Sequence, residues 1–318
     1  MRKRGMAITD RDLDVWSFLG EYGLLDSRQI QEEFWAEKRL RACQMRLQRY
    51  EEHGIVQAIT LTMARYHRKN RNGDTSGGRL PLIYALTPEG ANILEQETGI
   101  RAKRFMRSEL KSMTILHRRE VVRVRLALDR ACSRQKSNSN SRPIRQLMWI
   151  HEEDRKPDAT GNLVTDRILY HPFTQRNEKF SYRPDLFGLT EIPRAAGGSH
   201  ICVCYYEIDR GTMSHSQLSE KLRGITATIK TQAWKKYVPN YGQFAKKTIV
   251  RVFWVTSSPE RADNIRQTFN DKSLITSAFR YTSQTQLTEH TALGPIWMDS
   301  NGEQRGMVIE PQSVSGQG

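Results

Sequence analysis

The run ICVCYYEIDRGTMSHSQLSEKLRGI, residues 201–225, decides the fold of the second half of this chain. It opens on an almost wholly apolar stretch, Ile201 to Tyr206, which reads as a strand buried on both faces. The strand ends in Glu207 and Asp209, and because side chains alternate across a strand these two carboxylates share a face. Held side by side they repel unless a cation or a proton sits between them, and oxygen pairs of this kind suit Mg2+ or Mn2+. The end of a central strand is also where α/β folds tend to place their sites. Ser214 and Gln217 then fit a capping box, and Leu218, Leu222, Ile225 and Ile229 form the inward stripe of a helix. Lys221 lies within that stripe. A lysine on a buried helix face costs free energy unless a partner receives it. The carboxylates just upstream are a natural partner, and snorkelling at the edge of the stripe is the alternative.

Downstream, Ile249 to Val255 forms a second apolar run, broken only by Arg251. A helix between two buried strands predicts a parallel crossover. The pattern predicts strands over 146–151, 167–171, 182–189, 201–209 and 248–256, with helices over 214–237 and 259–269. Within YRPDLFGL, residues 182–189, Asp185 follows Pro184. Alone such a pair marks a turn. With E-x-D about twenty residues later, and a lysine beyond it, the combination is more specific.

The first hundred residues read as three helices, two strands and a helix. Thr9 can cap the first helix and Asp26 or Ser27 the second. The third spans about Glu37 to His53, with Leu40, Cys43, Leu47 and Tyr50 turned inward. Its remaining surface carries Lys38, Arg39, Arg41, Gln44, Arg46 and Arg49. Strands over 55–62 and 81–86 flank RYHRKNRNGDTSGGR (residues 65–79), a basic loop that includes Arg68, Lys69 and Arg71. A basic third helix followed by a hairpin with a basic tip is the layout of a winged helix-turn-helix, which would put Lys38, Arg39, Arg41, Arg46, Arg49, Arg68, Lys69 and Arg71 on DNA. A winged helix used for protein contacts is the other reading. A long helix follows, about Ser108 to Arg134, and then a polar break, QKSNSNSRP (residues 135–143). These patterns predict a winged helix over 1–100, an α/β domain over 101–310 and a disordered tail over 311–318.

The charge agrees with a polyanionic partner. Fifty Lys and Arg stand against 35 Asp and Glu, a formal charge of +15, and a surplus of this size attracts nucleic acid. No run of about 18 apolar residues supports a membrane span. The basic N-terminus has no apolar stretch behind it, so it does not read as a secretory signal. Cys43, Cys132, Cys202 and Cys204 form no C-x-x-C pair, which fits a reducing cytoplasm better than a disulfide or zinc framework. The absence of a P-loop sequence argues against ATP hydrolysis.

Two sets of residues resemble one family, the replication-relaxation proteins of plasmids and mobile elements: TDRDLDVWSFLGEYGLLDSRQI (9–30) with YALTPEGA (84–91), and RPDLFGL (183–189) with YYEIDRGT (205–212) and Lys221. The second set also looks like a variant of the PD-(D/E)xK core of restriction-endonuclease-like enzymes. The resemblance implies a winged helix followed by a restriction-endonuclease-like mixed sheet, and work on origin DNA in bacterial cytoplasm. By position, Asp185 and Glu207 match the two metal-binding acids. Asp209 stands where the common core has its lysine, a role that Lys221 could fill from the helix. His117 could face such a site or be an ordinary helix histidine, and the same holds for His215.

These readings lead to a metal-dependent DNA nickase or relaxase with Asp185, Glu207, Asp209 and Lys221 as its site, Asp185, Glu207 and Asp209 holding Mg2+ or Mn2+. Its partner would be double-stranded origin DNA, and further partners could include other replication or conjugation proteins. The alternatives are a non-catalytic replication accessory or autorepressor, and a scaffold for a conjugation complex.

Overall fold

The computed structural model describes residues 6–60, 82–99, 101–102, 112–138, 143–151, 155–157, 163–167, 171–175, 178–194, 197–232, 234–235, 248–270 and 275–307. The chain divides into two compact units, Met1–Val122 and Arg123–Gly318.

The first unit runs α1 (Asp10–Tyr22), β1 (Leu25–Asp26), α2 (Ser27–Phe34), α3 (Leu40–Glu52), β2 (Val56–Ile59), β3 (Ile83–Leu86) and α4 (Pro88–Thr98). Its sheet is antiparallel in the order β1-β3-β2. Three helices closed by this small sheet are the arrangement of a winged helix, with α3 the second helix of the helix-turn-helix pair. Local chemistry sets the ends. Thr9 and Asp12 form a capping box on α1, and Gly23, at φ +82, ends it. The Asp26 carboxylate accepts hydrogen bonds from the N–H groups of Arg28 and Gln29, capping α2. The core holds Val15, Trp16, Leu19, Ile30, Cys43, Leu47 and Tyr50, each fully buried. Leu40 is only partly buried, and α3 starts there rather than at Glu37. The strand β1, two residues long, has no periodic signal and was not predicted. The basic loop with Arg68, Lys69 and Arg71 lies outside the described residues.

The long helix α5 (Ser112–Asn138) begins in the first unit and ends in the second. Its Ile115 clusters with Leu24, Ile59, Ile83 and Ala85. That packing explains why the units divide at Val122, inside the helix, rather than near residue 100. The helix also continues through Asn138, into the stretch expected as a polar break.

The second unit contains β4 (Arg145–His151), β5 (Arg155–Pro157), β6 (Leu163–Arg167), β7 (His171–Gln175), β8 (Glu178–Tyr182), β9 (Leu186–Pro193), β10 (Ser199–Asp209), α6 (His215–Lys230), β11 (Thr248–Thr256), α7 (Pro259–Asn270), β12 (Phe279–Ser283), β13 (Trp297–Met298) and β14 (Gln304–Arg305). Seven strands form one mixed sheet, ordered β14-β13-β12-β11-β10-β9-β4. The strands β10, β11 and β12 are parallel, joined through α6 and α7, and β9 and β4 extend the sheet antiparallel. Both helices cover one face: Leu218, Leu222 and Ile225 of α6, and Ala262, Ile265 and Phe269 of α7, pack on Val203, Tyr205, Val252 and Trp254. On the opposite face Asp129 of α5 accepts a hydrogen bond from Trp149 Nε1 at 2.7 Å.

The expected strand over 182–189 is interrupted, with β8 ending at Tyr182 and β9 starting at Leu186. Pro184 lacks an N–H and restricts the residue before it, which breaks the ladder there. Of the strand expected over 167–171, Arg167 closes β6 and His171 opens β7, and residues 168–170 lie outside the described residues. Helix α6 stops at Lys230 rather than reaching Tyr237, and Gln232 just beyond it has φ +54. The fold is mixed α/β. Among the described residues no helix is long and apolar enough to cross a membrane.

Candidate functional site

The site gathers at one end of the sheet, where β10 ends and β9 begins. Asp185 sits in the break before β9 and is held by the backbone, since Ile208 N–H donates to its Oδ2 at 2.7 Å. Glu207 is fully buried on β10. Its Oε1 accepts a hydrogen bond from the Tyr182 hydroxyl, and its Oε2 faces the Lys221 ammonium. That ammonium also lies 3.7 Å from Asp185 Oδ1 and 5.8 Å from the centroid of the Trp254 ring. Lys221 thus reaches from α6 to both acids, as its place in the apolar stripe suggested. The close approach of α6 depends on Gly224, where a Cβ would come within 3.0 Å of Tyr182 Cβ.

Burial pushes the Glu207 carboxyl up to about 8; Lys221 opposes this, Asp185 adds to it, and the hydrogen bonds from Lys221 and Tyr182 lower it. Burial and the neighbouring Glu207 charge raise the Tyr182 phenol well above its ordinary value, so it stays a donor. Two carboxylates converging on one positive charge form an all-oxygen donor set, which fits a hard divalent ion such as Mg2+ or Mn2+. Asp185 and Glu207 are the two residues that could hold one, and Lys221 bridges them.

Asp209 takes a different course. It lies on the same strand face as Glu207, but its Oδ2 accepts from Arg261 Nε at 2.6 Å and its Oδ1 from Gly211 N–H at 2.9 Å. Arg261 also donates to the Met213 carbonyl at 2.9 Å, tying α7 to the loop after β10. Three acids were expected on one or two divalent ions; the structure pairs two with Lys221 and gives the third to Arg261. Among the described residues no group of three or more His, Cys, Asp and Glu side chains is placed to hold a metal ion. The exposed His215 borders a cleft of about 370 Å3 that Arg261 also lines. His117 lies in the first unit. Sequence reasoning missed Tyr182, although it opens the quoted YRPDLFGL stretch. It also missed Arg261, whose partner is 52 residues away in sequence and leaves no local signal.

On the first unit, Lys38, Arg39, Arg41 and Arg49 are exposed around α3. Arg46 is not available in the same way. Its guanidinium is bound to the buried Asp12 carboxylate and lies over the Tyr50 ring. It therefore holds α3 to α1, which departs from the expectation of a DNA contact.

A family model described as replication-relaxation matches residues 17–243, a span that includes α3 and all of Asp185, Glu207, Asp209 and Lys221. The chain belongs to the replication-relaxation family. No curated protein matches it. Among solved structures, a mutant MarR from E. coli is similar at 20% identity over 28% of this chain and 54% of that chain, with a TM-score of 0.21. The match thus spans about half of the MarR chain.

Proposed function

We propose that this replication-relaxation protein binds double-stranded origin DNA of a plasmid or mobile element through its first unit and nicks it at a metal-dependent site in its second. The carrying observation is the convergence of Asp185, Glu207 and Lys221 at the end of the central strands. A helix lysine reaching one acid on β10 and one just before β9 supports kinship with the PD-(D/E)xK nucleases, and the surplus of positive charge supports a DNA partner. In this reading Asp185 and Glu207 hold the ion, which would supply Lewis-acid stabilisation of phosphate charge and an activated water. Tyr182 fixes the Glu207 carboxylate, the backbone at Ile208 fixes Asp185, and Trp254 shields one side of the Lys221 ammonium. Lys221 would offset negative charge on the scissile phosphate. Asp209 serves with Arg261 as an anchor for the loop after β10.

The test is a nicking assay on supercoiled plasmid carrying the native origin, with Mg2+ or Mn2+. Wild type should nick, while Asp185→Ala and Glu207→Ala should lose at least about a hundredfold in rate and still bind duplex. Wild type that never nicks with either ion removes the enzyme reading. One observation favours a second reading, a DNA-binding replication accessory or autorepressor without catalysis: Lys221 already bridges both acids, so the cluster holds an internal counter-charge of its own.

A further inference from the structure

The outer face of α3 carries an apolar residue between two unpaired cations. Met45 is 50% exposed, although the helix buries Cys43, Leu47 and Tyr50 completely. Arg41 and Arg49 stand one turn to either side of it, at i−4 and i+4, on the same exposed stripe. Neither guanidinium has a hydrogen-bond or ion-pair partner among the described residues, whereas Arg46, beside Met45, is held by Asp12. The face is therefore sorted into one structural arginine and two free ones. Beside Met45 runs a cleft of about 690 Å3 in which Trp35 and Ala42 add apolar surface.

We propose that α3 reads a thymine methyl between two guanines, with Met45 against the methyl group of a T·A pair and Arg41 and Arg49 each forked onto a guanine. This rests on the reading of the first unit as a duplex-binding module. Major-groove chemistry supplies the match: guanine offers two acceptors to one guanidinium, and the thymine methyl is the apolar feature of the groove. Eight residues of helix span about 12 Å. At about 3.4 Å per base pair, the two guanines lie three to four base pairs apart. A protein partner would also welcome an exposed methionine. Two unpaired cations flanking it, on a chain of charge +15, favour a polyanion.

The experiment is selection by the full chain from a random-sequence duplex library, repeated with deoxyuridine replacing thymine throughout. Affinities of the enriched duplex are then measured for wild type, Met45→Ala, Arg41→Ala and Arg49→Ala, with thermal melts to check folding. The expected motif has a thymine between two guanines. Loss of the methyl weakens wild-type binding about fourfold and leaves Met45→Ala unaffected. Each arginine variant loses about tenfold and relaxes the choice at one guanine only. An enriched duplex whose binding ignores both the methyl and Met45 overturns this inference and leaves duplex binding standing. A chain that enriches no duplex at any salt concentration overturns the duplex-binding reading, and the inference with it.

Discussion

Asp12 shows how one side chain can hold two helices. It is almost fully buried in α1, and it accepts hydrogen bonds from Arg46 and Tyr50 of α3. Burial alone would raise its carboxyl. The hydrogen bonds from Arg46, Tyr50 and Thr9 outweigh that and hold it well below the ordinary carboxylate range. A depressed carboxyl contributes stability above its unfolded value that is lost as pH falls through the folded one. Acid melts of the wild type should therefore lose stability steeply below about pH 4. Asp12→Asn should be less stable at pH 7 by about 3 kcal/mol and show a shallower acid limb. Arg46→Ala should lower the melting temperature as well, while Arg41→Ala stays within about 0.5 kcal/mol of wild type. Equal melting temperatures for the two arginine variants would refute this division of roles. The division was not legible in the sequence: helical periodicity puts Arg46 on the polar flank of α3, and its partner is 34 residues away.

The elements with strong local signals were the legible ones. The order β10, α6, β11 followed from two apolar runs and a capping box, and Lys221 was found because it interrupts an apolar stripe. Of the strands that went unseen, β1, β13 and β14 are two residues each, too short for any period to show; β5 and β12, three and five residues long, were missed as well, and β6, β7 and β8 were touched only at their ends. One motif gains a physical reason only in three dimensions. Gly90 of LTPEGA lies so close to β2 that a Cβ there would sit 2.0 Å from the Ile55 carbonyl oxygen, which also accepts from Thr87 N–H at 3.0 Å. The obstacle is backbone, so the helix itself has to move. Gly90→Ala should destabilise the first unit by about 3 kcal/mol, at the upper end of overpacking costs. A denaturant melt of the variant overlying that of the wild type would show that α4 adjusts freely.

At the scale of the whole molecule, the basic face of α3 and the acid site fall in different compact units, so duplex binding through the first should separate from the second by mutation. Duplex affinity measured against salt should fall linearly on logarithmic axes. The Asp185→Ala, Glu207→Ala double variant should reproduce both the affinity and the slope of the wild type, while Arg41→Ala with Arg49→Ala should lower the affinity about a hundredfold with the slope little changed. A changed slope in the double acid variant would mean that the acid site also contributes to duplex binding. The two-unit architecture was legible from charge and patterning; the division inside α5 was not, because a helix carries no mark of where its packing partner changes. The Lys221 bridge has one more consequence, for biosynthesis. Domains that fold around a metal need it in hand as they are made. Here Lys221 is an internal counter-ion between Asp185 and Glu207, so the chain carries within itself a positive charge for its buried acids as it folds.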